Sequence, residues 1–348
     1  MKVTEQDIEH LNQLYKDRTA LHGELHDHSA SGGTSDGKRP LMHWRGAMEA
    51  LDMDFAAILD HKQVQHMYLP EWEDGLFIAG TEPGGKISDS KAEDPVIHYN
   101  MVFESPTQLE SLLEEFPEFA FTGGSNGHFK YPSFTTERMR ELIRAVKARG
   151  GLWVHPHPKQ QMKSDDPLDY WFADETGLEV FYVDLRCRYT RENYALWTTL
   201  LDMGKRLWAC AGCDLHACAH DTALTTIYAE ERKNASYLSH LRVGDFVCGP
   251  VGIRMCIGDT LMGGRCRFGT ERLVLSVGDF HKSVYNPEHR YRLVLLDDRG
   301  VVQRLDFDCR EMAYIAIDPD AERKFYRAEV FDLTEELRIA IGNPIWNE

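Results

Sequence analysis

The sequence predicts an α/β protein: alternating strands and helices form a largely parallel sheet or barrel, and a small antiparallel β-sandwich follows. Three observations lead to this prediction. Short apolar runs are separated by helical patterns, most of these runs end in His, Asp or Glu, and the helical patterns cease near residue 249. We therefore expect one domain over residues 1–248 and a second over residues 249–348.

The first β-like segment carries a His-x-His pair within Glu24–His28. Side chains alternate along a strand, so His26 and His28 point to the same side and could bind one ion. A lone His-x-His pair also arises by chance on a His-rich surface. The rest of the chain has to decide between these two interpretations.

Five later apolar runs also end in residues that can bind metal. Titratable side chains are disfavoured where a buried strand ends unless something pairs with them. The carboxyl ends of parallel strands meet on one side of a barrel, so the repetition favours a shared site. The runs and their ends are Phe55–Leu59 with Asp60-His61, Leu76–Ala79 with Gly80-Thr81-Glu82, Val96-Ile97 with His98, Gly151–Val154 with His155-Pro156-His157, and Leu207–Ala211 with Gly212-Cys213-Asp214-Leu215-His216.

Helical patterns lie between these runs. Residues 40–53 precede the strand at Phe55, and residues 192–203 precede a stop at Gly204. A third helix is capped by Thr135 or Thr136 and ends at Gly150-Gly151. Its apolar positions recur at helical spacing, which predicts one buried face. These positions are Met139, Leu142, Ile143 and Val146.

The second domain is predicted from six alternating segments. Residues 297–300, Asp-Asp-Arg-Gly, read as a hairpin turn between two of them. The chain then ends in a Gly-Asn-Pro-Ile-Trp motif at residues 342–346. The six segments are Arg272–Val277, Tyr291–Leu296, Val301–Leu305, Met312–Ile317, Phe325–Val330 and Leu337–Ile341.

In order along the chain, these motifs resemble those of the PHP (polymerase and histidinol phosphatase) family of metallohydrolases. The resemblance spans the first 245 residues and includes Leu25-His26-Asp27-His28, Ser35-Asp36-Gly37 and the later strand ends. It implies a distorted seven-stranded, TIM-like β/α barrel with two or three divalent ions, and Glu82 bridging two of them. The ligands that it implies are His26, His28, Asp36, His61, Glu82, His98, His155, Asp214 and His216.

This sequence departs from the family pattern at three places. Residues 29–34 lengthen the loop before Asp36, His157 is an additional histidine beside the His-Pro pair, and residues 104–134 look like an insertion. The second domain and the Asn-Pro-Ile-Trp end resemble the carbaryl-hydrolase-like branch of the family. We expect the departures to affect substrate choice more than metal binding.

The ligand types and the resemblance together predict a hydrolase. Imidazole and carboxylate ligands suit Zn²⁺, Mn²⁺ or Fe²⁺, and neighbouring ions lower the pKa of a bound water from about 15.7 toward ~7. The resemblance favours cleavage of a small phosphate ester by metal-bound hydroxide. The branch likeness leaves a carbamate or carboxylic ester as the alternative substrate, and a non-catalytic metal-binding scaffold is a third interpretation.

Further residues are candidates for catalysis or substrate binding. Glu82 and Asp214 would act as catalytic ligands, His157 as a general acid or a solvent-facing side chain, and Asp60 as support for His61 or as an exposed loop acid. Four cations follow strand ends and could hold an anion or lie on the surface. They are Lys62, Lys159, Arg186 and Arg188, and His128 in the insertion could cover the site.

Composition restricts the partners and the location. The net charge of −17 argues against non-specific nucleic-acid binding, which needs a basic face. The start of the chain lacks an apolar targeting segment and no run is long enough to span a membrane, so we expect a cytoplasmic protein. We expect its partner to be a small-molecule ester substrate. The eight scattered cysteines are expected to be reduced thiols. The sequence leaves open whether the chain forms a homo-oligomer.

Overall fold

The computed structural model describes residues 2–33, 35–90, 96–119, 131–162, 166, 171–217 and 223–348. The candidate residue His128 lies outside the described residues. Throughout this described part, none of the helices combines the length and the hydrophobicity that crossing a membrane requires.

Seven α-helices lie within the described ranges. The third predicted helix is confirmed: Thr135 accepts a hydrogen bond from the backbone N–H of Arg138, and Met139, Leu142 and Val146 are buried. The helix predicted from residue 192 begins one turn earlier, at Arg188. The helices are α1 Glu5–Leu14, α2 Leu41–Leu51, α3 Pro106–Glu115, α4 Thr136–Ala148, α5 Pro158–Gln161, α6 Arg188–Asp202 and α7 Asn234–Leu241, with short 3₁₀ turns at Gln65–Tyr68 and Pro117–Phe119.

The strands fall into two sets along the chain. Those of the first set are β1 Thr19–Asp27, β2 Phe55–Ile58, β3 Phe77–Thr81, β4 Gly84–Ile87, β5 Val96–His98, β6 Asn100–Phe103, β7 Ser133–Phe134, β8 Leu152–His155, β9 Thr176–Tyr182, β10 Leu207–Gly212, β11 Thr225–Ala229 and β12 Val247–Cys248. Those of the second are β13 Val251–Ile257, β14 Thr260–Leu261, β15 Arg265–Cys266, β16 Leu273–Phe280, β17 Tyr291–Asp297, β18 Gly300–Phe307, β19 Ala313–Ile317, β20 Phe325–Asp332 and β21 Leu337–Asn347.

One large mixed sheet organises the described residues. Its strand order is β10-β9-β8-β6-β3-β2-β1-β11-β12-β21-β20-β17-β18, and β15 pairs with β21. β1, β2 and β3 are parallel, as are β8, β9 and β10. β6 runs antiparallel to β3 and to β8, so the predicted parallel sheet is interrupted between two parallel triplets.

The predicted barrel is not confirmed, because the hydrogen-bonded ladder does not close. The segment after β10 nevertheless reaches the end of β1. The backbone N–H of Asp214 donates to the carbonyl of His26 at 2.7 Å, and that of His28 donates to the carbonyl of Leu215 at 2.9 Å. These bonds place the ends of β1 and β10 side by side.

Apart from β15, which pairs parallel with β21, the later strands are antiparallel, as the alternating sequence pattern predicts. β12, β21, β20, β17 and β18 continue the large sheet, and β14, β13, β16 and β19 form a second sheet of four strands. The large sheet therefore crosses the predicted domain boundary after residue 248. A separate β-sandwich is not shown, and both the sandwich and the boundary stay predictions.

The Asn-Pro-Ile-Trp motif lies within β21. Asn343 is fully buried. Its Oδ1 accepts a hydrogen bond from the backbone N–H of Ala209 in β10 at 2.7 Å, and its Nδ2 donates to the carbonyl of Phe246 at 3.1 Å. The side chain thus connects a strand of the second set to the strand that precedes Asp214.

Candidate metal centre

Nine His, Asp and Glu side chains converge at the ends of the strands. Their donor atoms form three groups, and within each group all the donor atoms lie within 4.8 Å of one another. We call them the inner group (His26, His28, Glu82 and Asp214), the outer group (His28, Asp36, His61 and His216) and the side group (Glu82, His98 and His157).

The inner group is enclosed by protein. The Nε2 atom of His28 lies 3.1 Å from Oδ1 of Asp214 and 3.3 Å from Nε2 of His26. The Nε2 atom of His26 lies 3.4 Å from Oε2 of Glu82. His26, His28 and Glu82 are at most 1% exposed, so water does not screen the charges of this group effectively.

The outer group faces solvent. The Nε2 atoms of His216 and His61 lie 3.0 and 3.5 Å from Oδ1 of Asp36. The side chains of Asp36 and His216 are 37% and 31% exposed. These two side chains are the most exposed of the nine.

Two histidines meet the other oxygen of Glu82 in the side group. Nδ1 of His98 and Nε2 of His157 each lie 3.1 Å from Oε1 of Glu82. The hydroxyl of Tyr131 lies 3.3 Å from Nε2 of His98, on the other side of that imidazole. Glu82 therefore contacts histidines of all three groups.

The donor set and spacing fit divalent metal ions. Four ligand atoms placed tetrahedrally about 2.1 Å from an ion lie about 3.4 Å apart. The Oε2 atom of Glu82 has imidazole nitrogens of His26, His28 and His61 at 3.3–3.4 Å, a similar spacing. Yet this buried oxygen accepts no hydrogen bond from the described residues, nor does Oδ1 of Asp36. Both oxygens are thus available to a cation.

Electrostatics keep the carboxylates ionised. Burial opposes ionisation, but His26, His98 and His61 hold the pKa of Glu82 well below its usual range. The pKa of Asp214 is likewise lowered despite burial, chiefly by His26 and His28. Anionic oxygens at the centre of the groups are the form in which a carboxylate binds metal.

The imidazoles differ in charge. Burial alone would lower the pKa of His28, but Asp214 and Glu82 raise it to about 10. Burial lowers the pKa of His61 to about 4 and outweighs the attraction of Glu82. A metal ion bound at the inner group would thus have to displace a proton from His28, whereas His61 is already neutral.

Unusual backbone conformations occur at the strand ends. Lys62, His157 and Asp214 have φ values of 55°, 28° and 54°. Such conformations cost about 1–3 kcal/mol each at non-glycine residues and concentrate at functional sites. The backbone bonds between the ends of β1 and β10 hold Asp214 in place, and Lys62 follows directly after the ligand candidate His61.

The loop after β1 brings Asp36 back to the strand ends. The backbone N–H of Lys38 donates to the carbonyl of His216, and that of Ala30 donates to the carbonyl of Arg39. These bonds fold the extended loop so that Asp36 contacts His61 and His216. The additional residues of the loop therefore do not keep Asp36 away from the groups.

Asp60 supports this loop and does not face the groups directly. It is fully buried and accepts hydrogen bonds from the backbone N–H and the hydroxyl of Ser29 at 2.6 and 2.7 Å. The hydroxyl of Ser31 is a further partner. Asp60 is thus a buried acid that holds the residues directly after His28, and the exposed alternative does not apply.

The structure brings His157, and not His155, into the three groups. The ring of His155 packs against Phe172 and Trp153, with centroid distances of 5.0 and 6.0 Å. Burial lowers the pKa of His155 to about 3. The His-Pro dipeptide occurs twice, at 155–156 and 157–158, and the left-handed conformation at His157 directs the second histidine to Glu82.

The candidate cations lie in different environments. Lys62 is 5% exposed, and its Nζ lies 5.2 Å from the ring centroid of Tyr131. The side chains of Arg186 and Arg188 are 62% and 67% exposed and contact Glu335 and Glu192. Lys159 donates through its backbone N–H to Asn193. Among these four cations, Lys62 has the clearest connection to the groups, because Tyr131 contacts both Lys62 and His98 of the side group.

Sequence reasoning missed two buried residues beside the ligands. Glu179 in β9 accepts a hydrogen bond from Nδ1 of His26 at 3.0 Å, and the Tyr182 hydroxyl lies 2.9 Å from Oδ2 of Asp214. Glu179 is a carboxylate in an otherwise apolar strand, which is a signal that the sequence offered. Tyr182 offered none, since a tyrosine in a strand is ordinary.

Two solved structures are similar to parts of this chain. No protein-family model and no curated protein matches the chain. A proposed metal-dependent phosphoesterase from Bifidobacterium adolescentis is 16% identical with a TM-score of 0.34, covering 56% of this chain and 87% of that chain. A lesion-specific endonuclease from Pyrococcus furiosus is 13% identical with a TM-score of 0.44, covering 66% of this chain and 57% of that chain. At such low scores and identities, the family membership of this chain stays a prediction.

Proposed function

We propose that this chain is a metal-dependent hydrolase of the PHP type that cleaves the phosphate ester of a small molecule. One observation carries the proposal: nine histidine and carboxylate side chains converge in three groups. The inner group shares His28 with the outer group and Glu82 with the side group. Imidazole and carboxylate donors without thiolates suit Zn²⁺, Mn²⁺ or Fe²⁺. Three groups with shared members are compatible with two or three ions.

Bound divalent ions would polarise a phosphoryl oxygen and lower the pKa of a nearby water. One side of the candidate site is exposed to solvent and the other side is buried. Asp36 and His216 lie on the exposed side, while His26, His28 and Glu82 are buried. The substrate would therefore enter beside Asp36 and His216, with the buried residues of the inner group behind them.

Lys62 supports an anionic substrate. It directly follows His61, and its ammonium lies over the ring of Tyr131. Burial lowers the pKa of Lys62, because it disfavours the charged ammonium. A phosphate near Lys62 would favour that charged form.

His157 acts as a ligand in this proposal, in place of His155 and of the general-acid role. Its Nε2 atom faces Glu82 at 3.1 Å, and Gln161 contacts its Nδ1 atom at 2.9 Å. Both ring nitrogens therefore have protein neighbours. Tyr182 positions Asp214, and it keeps its proton because burial and Asp214 raise its pKa.

The substrate class separates the remaining interpretations. The net charge of −17 disfavours a nucleic-acid polymer, which is attracted by basic surfaces. A carbamate or carboxylic ester is the alternative because the end of the chain resembles the carbaryl-hydrolase-like branch. All of these esters can be offered to the same metal-loaded protein.

The test uses the full chain, stripped with a chelator and reloaded separately with Zn²⁺, Mn²⁺ or Fe²⁺. We expect turnover of 4-nitrophenyl phosphate or bis(4-nitrophenyl) phosphate with at least one metal, and little turnover of 1-naphthyl methylcarbamate. Asp36→Asn should reduce turnover by about 10-fold or more, as loss of a ligand or its support does. His10→Ala, which changes a surface histidine, should have no effect.

Each contrary result has a distinct meaning. Cleavage of the carbamate alone would replace the phosphoester proposal with the carbamate alternative. Bound metal without turnover of any ester would favour the non-catalytic scaffold. A chain that binds no divalent ion would overturn the metal centre itself.

A further inference from the structure

A buried carboxylate lies next to the proposed metal centre without belonging to any of its three groups. Glu179 is 1% exposed in β9, whose other residues are apolar or uncharged. Burying a carboxylate is costly unless hydrogen bonds or charges compensate for its lost hydration. The partners of Glu179 therefore indicate what it does.

Each oxygen of Glu179 holds a residue of a different group. Oε1 accepts a hydrogen bond from Nδ1 of His26 at 3.0 Å, and Oε2 accepts one from the backbone N–H of His157 at 2.7 Å. His26 belongs to the inner group and His157 to the side group. One carboxylate thus connects two groups that also share Glu82.

The backbone around Glu179 is shaped to admit this carboxylate. The pairing register between β9 and β10 shifts at this point, since Cys210 pairs with Glu179 and the next residue, Ala211, pairs with Phe181. Such bulges redirect side chains and are frequent beside active sites. A Cβ atom at Gly212 would lie 2.0 Å from Oε1 of Glu179 and 2.8 Å from Cβ of His26. Glycine therefore leaves the space that the carboxylate occupies.

We propose that Glu179 is a positioning residue that sets the inner and side metal positions together. By accepting a hydrogen bond from Nδ1–H of His26, it leaves Nε2 of that ring unprotonated, as the metal-ligand atom that faces Glu82 and Asp214. By holding the backbone of His157, it keeps Nε2 of that residue on the other oxygen of Glu82. This inference rests on the proposed metal centre.

Glu179→Gln separates the two contacts. The glutamine side chain has one acceptor oxygen, so it can satisfy either His26 or His157 but not both in the same way. Loss of such a partner typically weakens metal binding 10–100-fold. We expect Mn²⁺ and Zn²⁺ to bind about 10–100-fold more weakly at two positions together, while the outer group, which Glu179 does not contact, keeps its ion.

The measurement is a metal titration of the chelator-treated full chain, combined with the number of ions per chain at fixed free metal. Glu329→Gln is a matched control, because Glu329 is an equally buried carboxylate in β20 whose partners are Tyr194, Arg327 and Arg338. This control should lower the thermal stability and leave the ion count unchanged.

Gly212→Ala is a second, independent variant. It keeps the charge of Glu179 but places a methyl group where the carboxylate lies. It should therefore lower the occupancy of the same two positions as Glu179→Gln does. A purely structural role predicts a different pattern, in which the metal-free protein melts earlier but metal affinity is unchanged.

The outcomes separate this inference from the proposed function. If the wild type binds ions and both variants bind them with wild-type affinity, Glu179 is not a positioning residue and the metal centre stands. If the variants lose ions one at a time, the coupling between the two groups is refuted. If the wild type binds no ions, the metal centre fails together with the inference drawn from it.

Discussion

Glu82 is the residue on which the candidate centre depends. Its two oxygens face different sets of imidazoles, with His26, His28 and His61 near Oε2 and with His98 and His157 near Oε1. A single side chain can contact five histidines because it is buried at the end of β3, between the end of β2 and the start of β6. Its substitution should therefore affect several positions together.

We predict that Glu82→Gln lowers the occupancy of at least two metal positions, whereas His216→Ala lowers that of one. The amide cannot supply the second anionic oxygen, while His216 contributes to the outer group alone. Inductively coupled plasma mass spectrometry of the purified variants measures the ions per chain. Equal ion counts in both variants and in the wild type would contradict the shared role of Glu82.

A second residue-scale prediction concerns pH and lies away from the centre. His240 is buried between Asp245 and Glu230, with a nitrogen-to-oxygen distance of 3.0 Å to each. Burial would lower its pKa, but the two carboxylates raise it above the ordinary value. The protonated imidazole therefore stabilises the fold at pH values below about 6.5, the unfolded pKa. That contribution is lost as the pH rises through the raised folded pKa.

Replacing this side chain isolates the effect. The difference in unfolding free energy between wild type and His240→Gln should be largest near pH 6 and smaller at pH 9. Urea unfolding at both pH values measures this difference. A difference that is independent of pH, or that grows with pH, would show that His240 is neutral in the folded protein.

At the residue scale, sequence reasoning identified most of the convergent side chains but missed Glu179 and Tyr182, which contact them. The strand-end pattern led to His61 and Glu82, because a metal site demands particular residue types at particular ends, and the resemblance to the PHP family added Asp36. The resemblance assigned His155 as the ligand, whereas the structure places His157 in the groups, since the left-handed backbone at His157 directs that side chain to Glu82. Glu179 was missed because a lone carboxylate within an apolar strand has no motif.

At the scale of elements, β21 and β10 depend on each other. Asn343 bonds to a backbone N–H of β10 and to a carbonyl directly before β12, and both contacts are buried. A buried backbone group left without a partner costs about 1–3 kcal/mol. The side chain therefore stabilises the strand that leads to Asp214.

We predict that Asn343→Ala lowers the unfolding free energy by about 3 kcal/mol, because two buried backbone groups lose their partner. Gln303→Ala on β18, where the side chain is half-buried, should change it by less than about 0.5 kcal/mol. Urea unfolding measured by circular dichroism gives both values. An Asn343→Ala variant as stable as the wild type would show that the large sheet does not need this contact.

The helix α4 and the antiparallel strands after residue 249 were predictable because their signals are local. A capping threonine and four apolar positions specify α4, and alternation specifies the later strands. The antiparallel direction of β6 was not predictable, since strand direction depends on which neighbours a strand finds in the folded chain. The same dependence explains why the large sheet continues past residue 248.

At the scale of the whole molecule, the predicted architecture is shown only in part. The strands converge as a barrel would require, and the ends of β1 and β10 meet, but the ladder is open and a separate sandwich is not shown. Periodicity within a segment predicts an element, whereas closure depends on pairing between distant segments. That information is absent from any single stretch of sequence.

The whole molecule should also respond to its ions. An ion that binds only the folded state stabilises that state by about 2.7 kcal/mol when its free concentration is 100 times its dissociation constant. We predict that chelation lowers the melting temperature of the wild type and that Mn²⁺ or Zn²⁺ restores it. In Glu82→Gln, chelation should change the melting temperature less, and an equal change in both proteins would contradict a stabilising role of ions bound through Glu82.

The unequal exposure of the outer and inner groups has a consequence for handling the protein. Asp36 and His216 meet the surrounding solution, whereas His26 and His28 are sealed by the strands that carry them. Ions bound by Asp36 and His216 would exchange quickly with the metals in the purification buffer. Ions bound by His26 and His28 would exchange slowly, so the purified protein would still carry at this position the metal that it bound in the cell.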